Sequence, residues 1–147
     1  MSIDDDVALL ERVPTLRLLG RESLRMLAIG SEQKEVPQGD FLFQQGDDAD
    51  SGFVVARGSF RVDDGAGAEM TVGPGTLLGE LALVVRMRRP SSATALQYAT
   101  VIRISRGLFQ RVLESDPSAA LRLRDEFVNR TSQIASDILI AGGKLNP

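Results

Sequence analysis

The sequence predicts a mainly β domain of the barrel, sandwich or jelly-roll type, with helices at both ends. Glycine and proline recur at short intervals between residues 35 and 105, with short β-type runs between them. Many short strands at this spacing are typical of such folds. Both flanking segments instead carry apolar side chains at helical spacing. A chain of 147 residues favours one core, so we expect a single domain over residues 1–147.

The N-terminal segment, residues 5–30, is predicted to be helical. Its first apolar stripe consists of Val7, Leu9, Leu10 and Val13. Pro14 ends or bends this helix, because proline lacks the amide hydrogen that a helix interior needs. A second helix is expected over Arg21–Ile29, and Gly30 is a natural stop.

The central segment, residues 35–105, is predicted to form this β-structure. Four of its short runs have strand composition: Phe41–Phe43, Phe53–Val55, Phe60–Val62 and Val101–Ile104. Asp63–Gly67 is predicted to be a hairpin turn, because glycine accepts the positive φ that such turns demand.

The C-terminal segment, residues 106–140, is predicted to be helical again. Leu108, Val112 and Leu113 form a short apolar face, and Asp116 and Pro117 indicate a helix start with Asp116 as its N-cap. A longer helix should follow from residue 118 to about residue 140. Its apolar stripe consists of Ala120, Leu123, Phe127, Ile134 and Ile138.

The composition excludes several classes of site. The chain has neither cysteine nor histidine, so thiolate nucleophiles, iron–sulfur clusters, imidazole metal sites and a Ser-His-Asp triad cannot form. Beyond Glu80 and the arginines, no acid, base and nucleophile group together, and we expect no enzyme. The N-terminus is acidic and Leu81–Val85 is too short to span a membrane, so a cytoplasmic location is expected.

Charge is distributed unevenly along the chain. Residues 1–80 carry fifteen acidic and seven basic side chains, whereas residues 81–147 carry five acidic and ten basic ones. No acid lies between Glu80 and Glu114, where six arginines lie. This segment could form an anion site, or it could be a solvated basic face.

The stretch Gly73–Val85 has the composition of a phosphate site. A glycine-rich turn leads into a short apolar run, and the unpaired amides at the start of a helix suit a phosphate. Gly79 would let a ligand approach the backbone, and the carboxylate of Glu80 could accept hydrogen bonds from sugar hydroxyls. Alternatively, Glu80 caps a buried helix.

Three stretches together resemble the cyclic nucleotide-binding domain family, typified by the bacterial cAMP receptor protein and the regulatory subunits of protein kinase A. Gly39–Asp47, followed by Phe53–Gly58, is similar to the first repeat of its β-roll. Gly73–Leu83 is similar to its phosphate-binding cassette, and Pro90–Thr94 to the end of that cassette. The resemblance extends over about residues 5–140 and implies a double-stranded β-helix with a cassette at residues 73–94.

The resemblance also implies roles for particular residues. Glu80 would bind the ribose 2′-hydroxyl, while Gly79, Leu81 and Ala82 would offer backbone groups to the ribose and the cyclic phosphate. The long C-terminal helix would be a lid that closes over the purine or a dimer helix. Its apolar stripe could equally pack against its own β-roll.

The position of the phosphate-binding arginine is ambiguous. Counted forward from Glu80, the family's arginine falls on Arg89; counted back from Ala93 and Thr94, its place holds Ser91, followed by Ser92. A two-residue insertion within residues 86–89 would reconcile the counts and leave serine in the arginine's place. Arg88 or Arg89 could then swing in to bind the phosphate, or both could face solvent.

Two functions from different classes follow. The first is a regulatory module that binds a cyclic nucleotide, with cAMP expected before cGMP, and signals through its C-terminal helix to an unidentified protein partner. The second is a degenerate β-roll that binds no nucleotide and serves in protein interaction or assembly, with a homodimer possible through the same helix. Only about seven residues follow Ile140, so direct DNA binding is not expected.

Overall fold

The computed structural model describes residues 2–126 and residue 129. Three N-terminal helices, α1 (Ile3–Glu11), α2 (Pro14–Arg17) and α3 (Arg21–Gly30), precede the strands, and α4 (Arg106–Ser115) follows them. A further helix, α5, is described over 117–126. A 3₁₀ helix, Glu80–Leu83, interrupts the strands. The ten strands are β1 (Glu32–Val36), β2 (Phe41–Phe43), β3 (Asp48–Ala49), β4 (Ser51–Arg57), β5 (Phe60–Asp63), β6 (Glu69–Val72), β7 (Leu77–Leu78), β8 (Met87–Arg88), β9 (Ser92–Ala95) and β10 (Ala99–Ser105).

The strands form two antiparallel sheets and a small ribbon. One sheet has the order β1-β10-β4-β7, the other has the order β2-β9-β5-β6, and β3 pairs with β8. This arrangement is a β-roll with flanking helices, as the sequence predicts. All four predicted runs lie within strands, because each is a β-branched or aromatic run bounded by turn residues.

The hairpin between β5 and β6 has the predicted turn. The amide of Asp64 donates to the carbonyl of Ala68 (3.1 Å), and Gly65 and Gly67 both have positive φ. The side chain of Asp63 accepts from the amide of Gly65 at 2.6 Å, so the acidic residues cap the turn.

Two clusters of buried apolar residues hold the β-roll and the helices together. The first lies between the helices and the sheet that contains β4 and β10, and includes Leu10, Leu27 and Phe109. The second lies between the two sheets and includes Phe60 and Val101. The helices therefore cover one face of the roll, and the other cluster fills its interior.

The N-terminal helices agree with the sequence prediction, but Gly30 does not act as the left-handed helix stop that glycine often provides. Pro14 begins α2, where its missing amide hydrogen costs nothing. Gly30 is the last residue of α3, but its backbone is not left-handed. A Cβ on Gly30 would lie 2.7 Å from the side chain of Leu108, so a larger residue there would force Leu108 on α4 to shift.

The start of α5 is as predicted, whereas its stripe is displaced. Asp116 caps the helix, since its side chain accepts from the amide of Ala119 (3.2 Å). Ala119 is fully buried and Ala120 only partly, so the stripe runs through Ala119 and Leu123. Phe127, Ile134 and Ile138, with the lid and dimer roles of this helix, lie outside the described residues.

No helix in the part of the chain that the structure describes has the length and apolar character needed to cross a bilayer.

Candidate functional site

A cavity of about 210 Å³ lies between the 3₁₀ helix and the segment that joins β8 to β9. It is lined by Phe43, Gly79, Glu80, Leu81, Ala82, Met87, Arg89, Pro90 and Ser91. Six of the eight residues that the sequence singles out are therefore brought together here. The other two, Arg88 and Ser92, do not line it.

Gly79 begins the 3₁₀ helix in a conformation that favours glycine. Its φ is +78°, in the left-handed region, and no side chain caps the helix. A Cβ on Gly79 would also collide with Nη1 of Arg89 and approach the carbonyl oxygen of Ser51 to 3.2 Å. The residue therefore serves both the turn and the close approach of the arginine.

Glu80, Leu81 and Ala82 form the wall that follows Gly79. Glu80 is half-buried, Leu81 is half-exposed, and Ala82 is fully buried. The amide of Ala82 donates to the carbonyl of Gly79 at 3.1 Å, so this amide is already paired within the helix. Gly79, not Glu80, occupies the N-cap position, which leaves the cap interpretation of Glu80 without support.

Arg89 is the charged group of the cavity. Only 5% of its surface is exposed, although arginine is rarely buried. Its Nη2 donates to the carbonyl oxygen of Ser51 (2.9 Å) and to the hydroxyl of Ser51 (3.4 Å). Its guanidinium lies over the ring of Phe43, 4.4 Å from the centroid, and 5.5 Å from that of Phe53. These contacts position the guanidinium rigidly at the cavity wall.

Two donor nitrogens of this guanidinium take no part in these hydrogen bonds. Nε and Nη1 of Arg89 are buried and have no hydrogen-bond partner within the described residues. Burial lowers the pKa of Arg89 from its ordinary value, because desolvation disfavours the charged form. A buried cation with two unpaired donors beside a cavity is chemically suited to hold an anion there.

The backbone around Arg89 explains how it enters the cavity. Its amide donates to the carbonyl of Asp47, and its carbonyl accepts from the amide of Gly46, both at 2.8 Å. Immediately before it, Arg88 pairs with Asp48 in the β3–β8 ribbon. The loop between β2 and β3 therefore fixes the direction of the Arg89 side chain.

The neighbouring candidates are placed differently. Arg88 has 79% of its side chain exposed and forms a surface ion pair with Asp48 at 3.9 Å. The hydroxyl of Ser92 accepts from the amide of Gln45 (2.8 Å) and so supports the loop after β2. Ser91, partly buried, lines the cavity at its rim.

This geometry favours the forward count from Glu80 over the backward count. The arginine at the forward position lies inside the cavity, whereas Ser91 lies beside it and carries no charge. Arg88 faces solvent, whereas Arg89 does not. Pro90 and Ser91, which follow the arginine, also line the cavity.

Acidic residues from the N-terminal half partly neutralise the arginine-rich segment. Arg103 contacts Glu32 (3.1 Å) and Asp50 (3.3 Å). Burial raises the pKa of Asp50, but hydrogen bonds from Ser51 and Arg103 outweigh it and hold this pKa below its ordinary value. Arg88 and Arg103 are thus paired with acids at the surface, whereas Arg89 is buried.

Sequence reasoning missed the residues that support Arg89. Phe43, Ser51 and Phe53 come from β2 and β4, far from the cassette in sequence, and each has an ordinary strand composition. Phe43 and Phe53 had a signal, because they lie in the stretches Gly39–Asp47 and Phe53–Gly58 that resemble the first β-roll repeat, whereas Ser51 had none. Met87 lines the cavity with no signal at all.

A family model described as cyclic nucleotide-binding domain matches residues 33–116 of this chain. An uncharacterized NTE family protein of Mycobacterium tuberculosis is 34% identical over 119 residues, which are 77% of this chain and 20% of that protein. The type II regulatory subunit of the cAMP-dependent protein kinase of Drosophila melanogaster is 27% identical over 119 residues, which are 81% of this chain and 32% of that protein. The chain thus spans a third or less of the length of these relatives.

Among solved structures, a cyclic nucleotide-binding-like protein of Brucella abortus superimposes with a TM-score of 0.67 and 36% identity. The match covers 76% of this chain and 99% of that one. The residues that the family model matches, 33–116, include the residues that line the cavity, Arg89 among them.

Proposed function

Because the chain belongs to the cyclic nucleotide-binding domain family, we propose that it binds a cyclic nucleotide, with cAMP as the expected ligand, and acts as a regulatory module. The family is generally non-enzymatic. A cytoplasmic location and signalling to a protein partner are part of this proposal.

The observation that carries the proposal is the state of Arg89. Its guanidinium is buried, held by Ser51 and Phe43, and has two donors without a partner. A cyclic phosphate carries one negative charge and two exocyclic oxygens, which can accept charge-assisted hydrogen bonds from these donors. The ligand would therefore supply the hydrogen bonds that the described residues do not.

Glu80 would define the other end of the ligand. Glu80 and Arg89 line the same cavity, so a ribose between them can present a hydroxyl to the carboxylate while its phosphate faces the guanidinium. Gly79 has no side chain that would fill the space between them. The related kinase regulatory subunit of Drosophila, which is named for cAMP, supports cAMP as the expected nucleotide.

The output would pass through the C-terminal helices. The 3₁₀ helix packs against α4, and Leu83 shares its apolar cluster with Phe109 of α4. A ligand that contacts the 3₁₀ helix can therefore bias the position of α4, by as much as its affinity differs between the two states.

The proposal is tested by calorimetric titration of nucleotide-stripped protein with cAMP and cGMP. Arg89→Met and Glu80→Ala remove the two polar ends of the site, and Arg88→Met is the matched control on the neighbouring exposed arginine. Loss of a charge-assisted pair is expected to weaken cAMP binding roughly tenfold to a hundredfold in Arg89→Met. Arg88→Met should bind like the wild type.

Absence of heat up to millimolar cAMP and cGMP, from protein shown to be folded by circular dichroism, would contradict the proposal. The degenerate β-roll that acts in protein interaction would then be the better interpretation. Equal losses in Arg88→Met and Arg89→Met would instead show that the anion binds on the surface.

A further inference from the structure

Arg106 lies at the junction between the β-roll and the C-terminal helices. It is the first residue of α4 and follows β10 directly. Its amide donates to the carbonyl of Asp50 at 2.8 Å, and the preceding Ser105 caps α4 by accepting from the amide of Leu108 (3.1 Å). The backbone at this junction is therefore tied both to the roll and to the helix.

The side chain of Arg106 turns away from its own helix and donates hydrogen bonds to two backbone carbonyls. Its Nε donates to the carbonyl of Ala82 at 2.8 Å, and its Nη2 donates to the carbonyl of Ala49. The residue is partly buried. Both hydrogen bonds are charge-assisted and are therefore stronger than bonds between neutral groups.

One of these carbonyls belongs to a residue that lines the cavity, and the other belongs to a strand that pairs with another lining residue. Ala82 is part of the 3₁₀ helix and lines the cavity itself. Ala49 pairs with Met87 in the β3–β8 ribbon, and Met87 lines the cavity together with Arg89. One guanidinium thus connects the 3₁₀ helix and the β3–β8 ribbon with the first turn of α4.

We propose that Arg106 is the positioning residue that couples the two walls of the cavity to α4. The inference rests on the proposed function, in which a ligand bridges the 3₁₀ helix and Arg89. The fork of donors in a guanidinium is planar and rigid. When a ligand changes the separation of the two walls, Arg106 keeps both hydrogen bonds only if the first turn of α4 moves as well.

Arginine is required for this coupling because of its geometry and not only because of its charge. A lysine at this position would keep the positive charge, but its ammonium is a point donor without a fixed fork. Arg106→Lys should therefore hold one carbonyl and release the other. The exposed Arg111, on the same helix, has no such contact with the cavity walls among the hydrogen bonds of the described residues and provides the matched control, Arg111→Lys.

The first measurement needs no ligand. Hydrogen–deuterium exchange is followed at the amides of Val84 and Val85, which close the 3₁₀ helix by donating to the carbonyl of Leu81. Loss of one charge-assisted bond should speed their exchange roughly tenfold in Arg106→Lys. Arg111→Lys should leave it unchanged. Equal exchange at these amides in all three proteins would overturn the coupling, whether or not a nucleotide binds.

The second measurement adds cAMP. In the wild type and in Arg111→Lys, cAMP is expected to change exchange both in the 3₁₀ helix and in the first turn of α4. In Arg106→Lys, the change in the 3₁₀ helix should persist while the change in α4 is lost. An undiminished response of α4 in Arg106→Lys overturns the inference. A wild type that gives no heat with cAMP overturns the proposed function. In that case, the exchange rates of the ligand-free proteins alone test the coupling.

Discussion

Nη1 of Arg89 lies in the place that a side chain on Gly79 would occupy. The same glycine has a φ of +78° and begins the 3₁₀ helix that forms one wall of the cavity. The buried arginine and the turn opposite it are thus mutually dependent. The charge can be held close to the helix start only because position 79 has no Cβ.

Gly79→Ala should be more destabilising than an alanine at another glycine with positive φ. Gly39→Ala is the matched control, because its φ is +86° and nothing lies within 4 Å of its Cβ position. Both variants lose about 1–2 kcal/mol from the left-handed backbone. Gly79→Ala should lose about 1–3 kcal/mol more, because the new methyl group collides with Arg89. Urea denaturation of both variants measures the difference.

The collision can be separated from the backbone effect. Adding Arg89→Met to Gly79→Ala should recover most of the additional loss, because a thioether chain can move aside. Additive effects in this double variant would show that the two residues are not in contact in solution.

Arg89→Met should stabilise the ligand-free protein. The buried guanidinium has two donors without partners in the described region, and desolvation of its charge opposes folding. Replacing it by an apolar side chain of similar length should raise stability by about 1 kcal/mol and the melting temperature by roughly 3 °C. Calorimetric or circular-dichroism melting measures this shift, with Arg88→Met expected to change nothing. A clear drop in the melting temperature would mean that the contacts with Ser51 and Phe43 outweigh desolvation.

Asp116→Ala should weaken the start of α5. One oxygen of Asp116 accepts from the amide of Ala119, and the other accepts from the hydroxyl of Ser23 at 3.3 Å. Loss of an N-cap of this kind costs about 1–2 kcal/mol, and chemical denaturation measures the change. Asp116→Asn retains a capping oxygen and should lose less. The exposed Glu114 supplies a control, and a Glu114→Ala loss as large as that of Asp116→Ala would count against the cap.

Affinity for cAMP should be independent of pH between about pH 6 and 9. Burial lowers the pKa of Arg89 in the folded state. The free energy of unfolding would therefore rise with pH only at alkaline pH, between the pKa of Arg89 in the folded state and its pKa in the unfolded state. Across the neutral range both states keep the charge, the phosphodiester stays anionic, and the chain has no histidine. Titrations at several pH values would reveal a sigmoidal dependence if another group held the phosphate.

Local patterns in the chain were sufficient to predict most of the elements. Pro14 and the glycines after strands favour a break in regular structure in any context, and Asp116 caps the helix that follows it. The ends of these helices and strands therefore depend on residues that are close in sequence. The stripe of α5 could not be placed to the residue, because Ala119 and Ala120 are equally small and apolar. Only the packing of α5 into the apolar cluster between the helices and the sheet decides which of them is buried.

Proximity of Gly79, Glu80, Leu81 and Ala82 follows from the sequence itself, because four consecutive residues around a turn must share one small region. Their composition and their likeness to a known cassette therefore predicted one wall of the cavity. The choice between Arg88, Arg89 and Ser91 could not be made in this way. Neighbouring residues in an extended segment point in opposite directions, so a displacement of one residue exchanges the buried side chain for an exposed one.

Tertiary structure made that choice through residues far away in the chain. Hydrogen bonds from the loop after β2 set the register of the β3–β8 ribbon and turn Arg89 inward, where Ser51 and two phenylalanines hold it. The link from Arg106 to Ala82 and Ala49 likewise joins three separate segments. The sequence by itself thus determined the β-roll, its flanking helices and the cassette wall. The fold alone decided which arginine is buried, because burial depends on surfaces that meet only after the strands have paired.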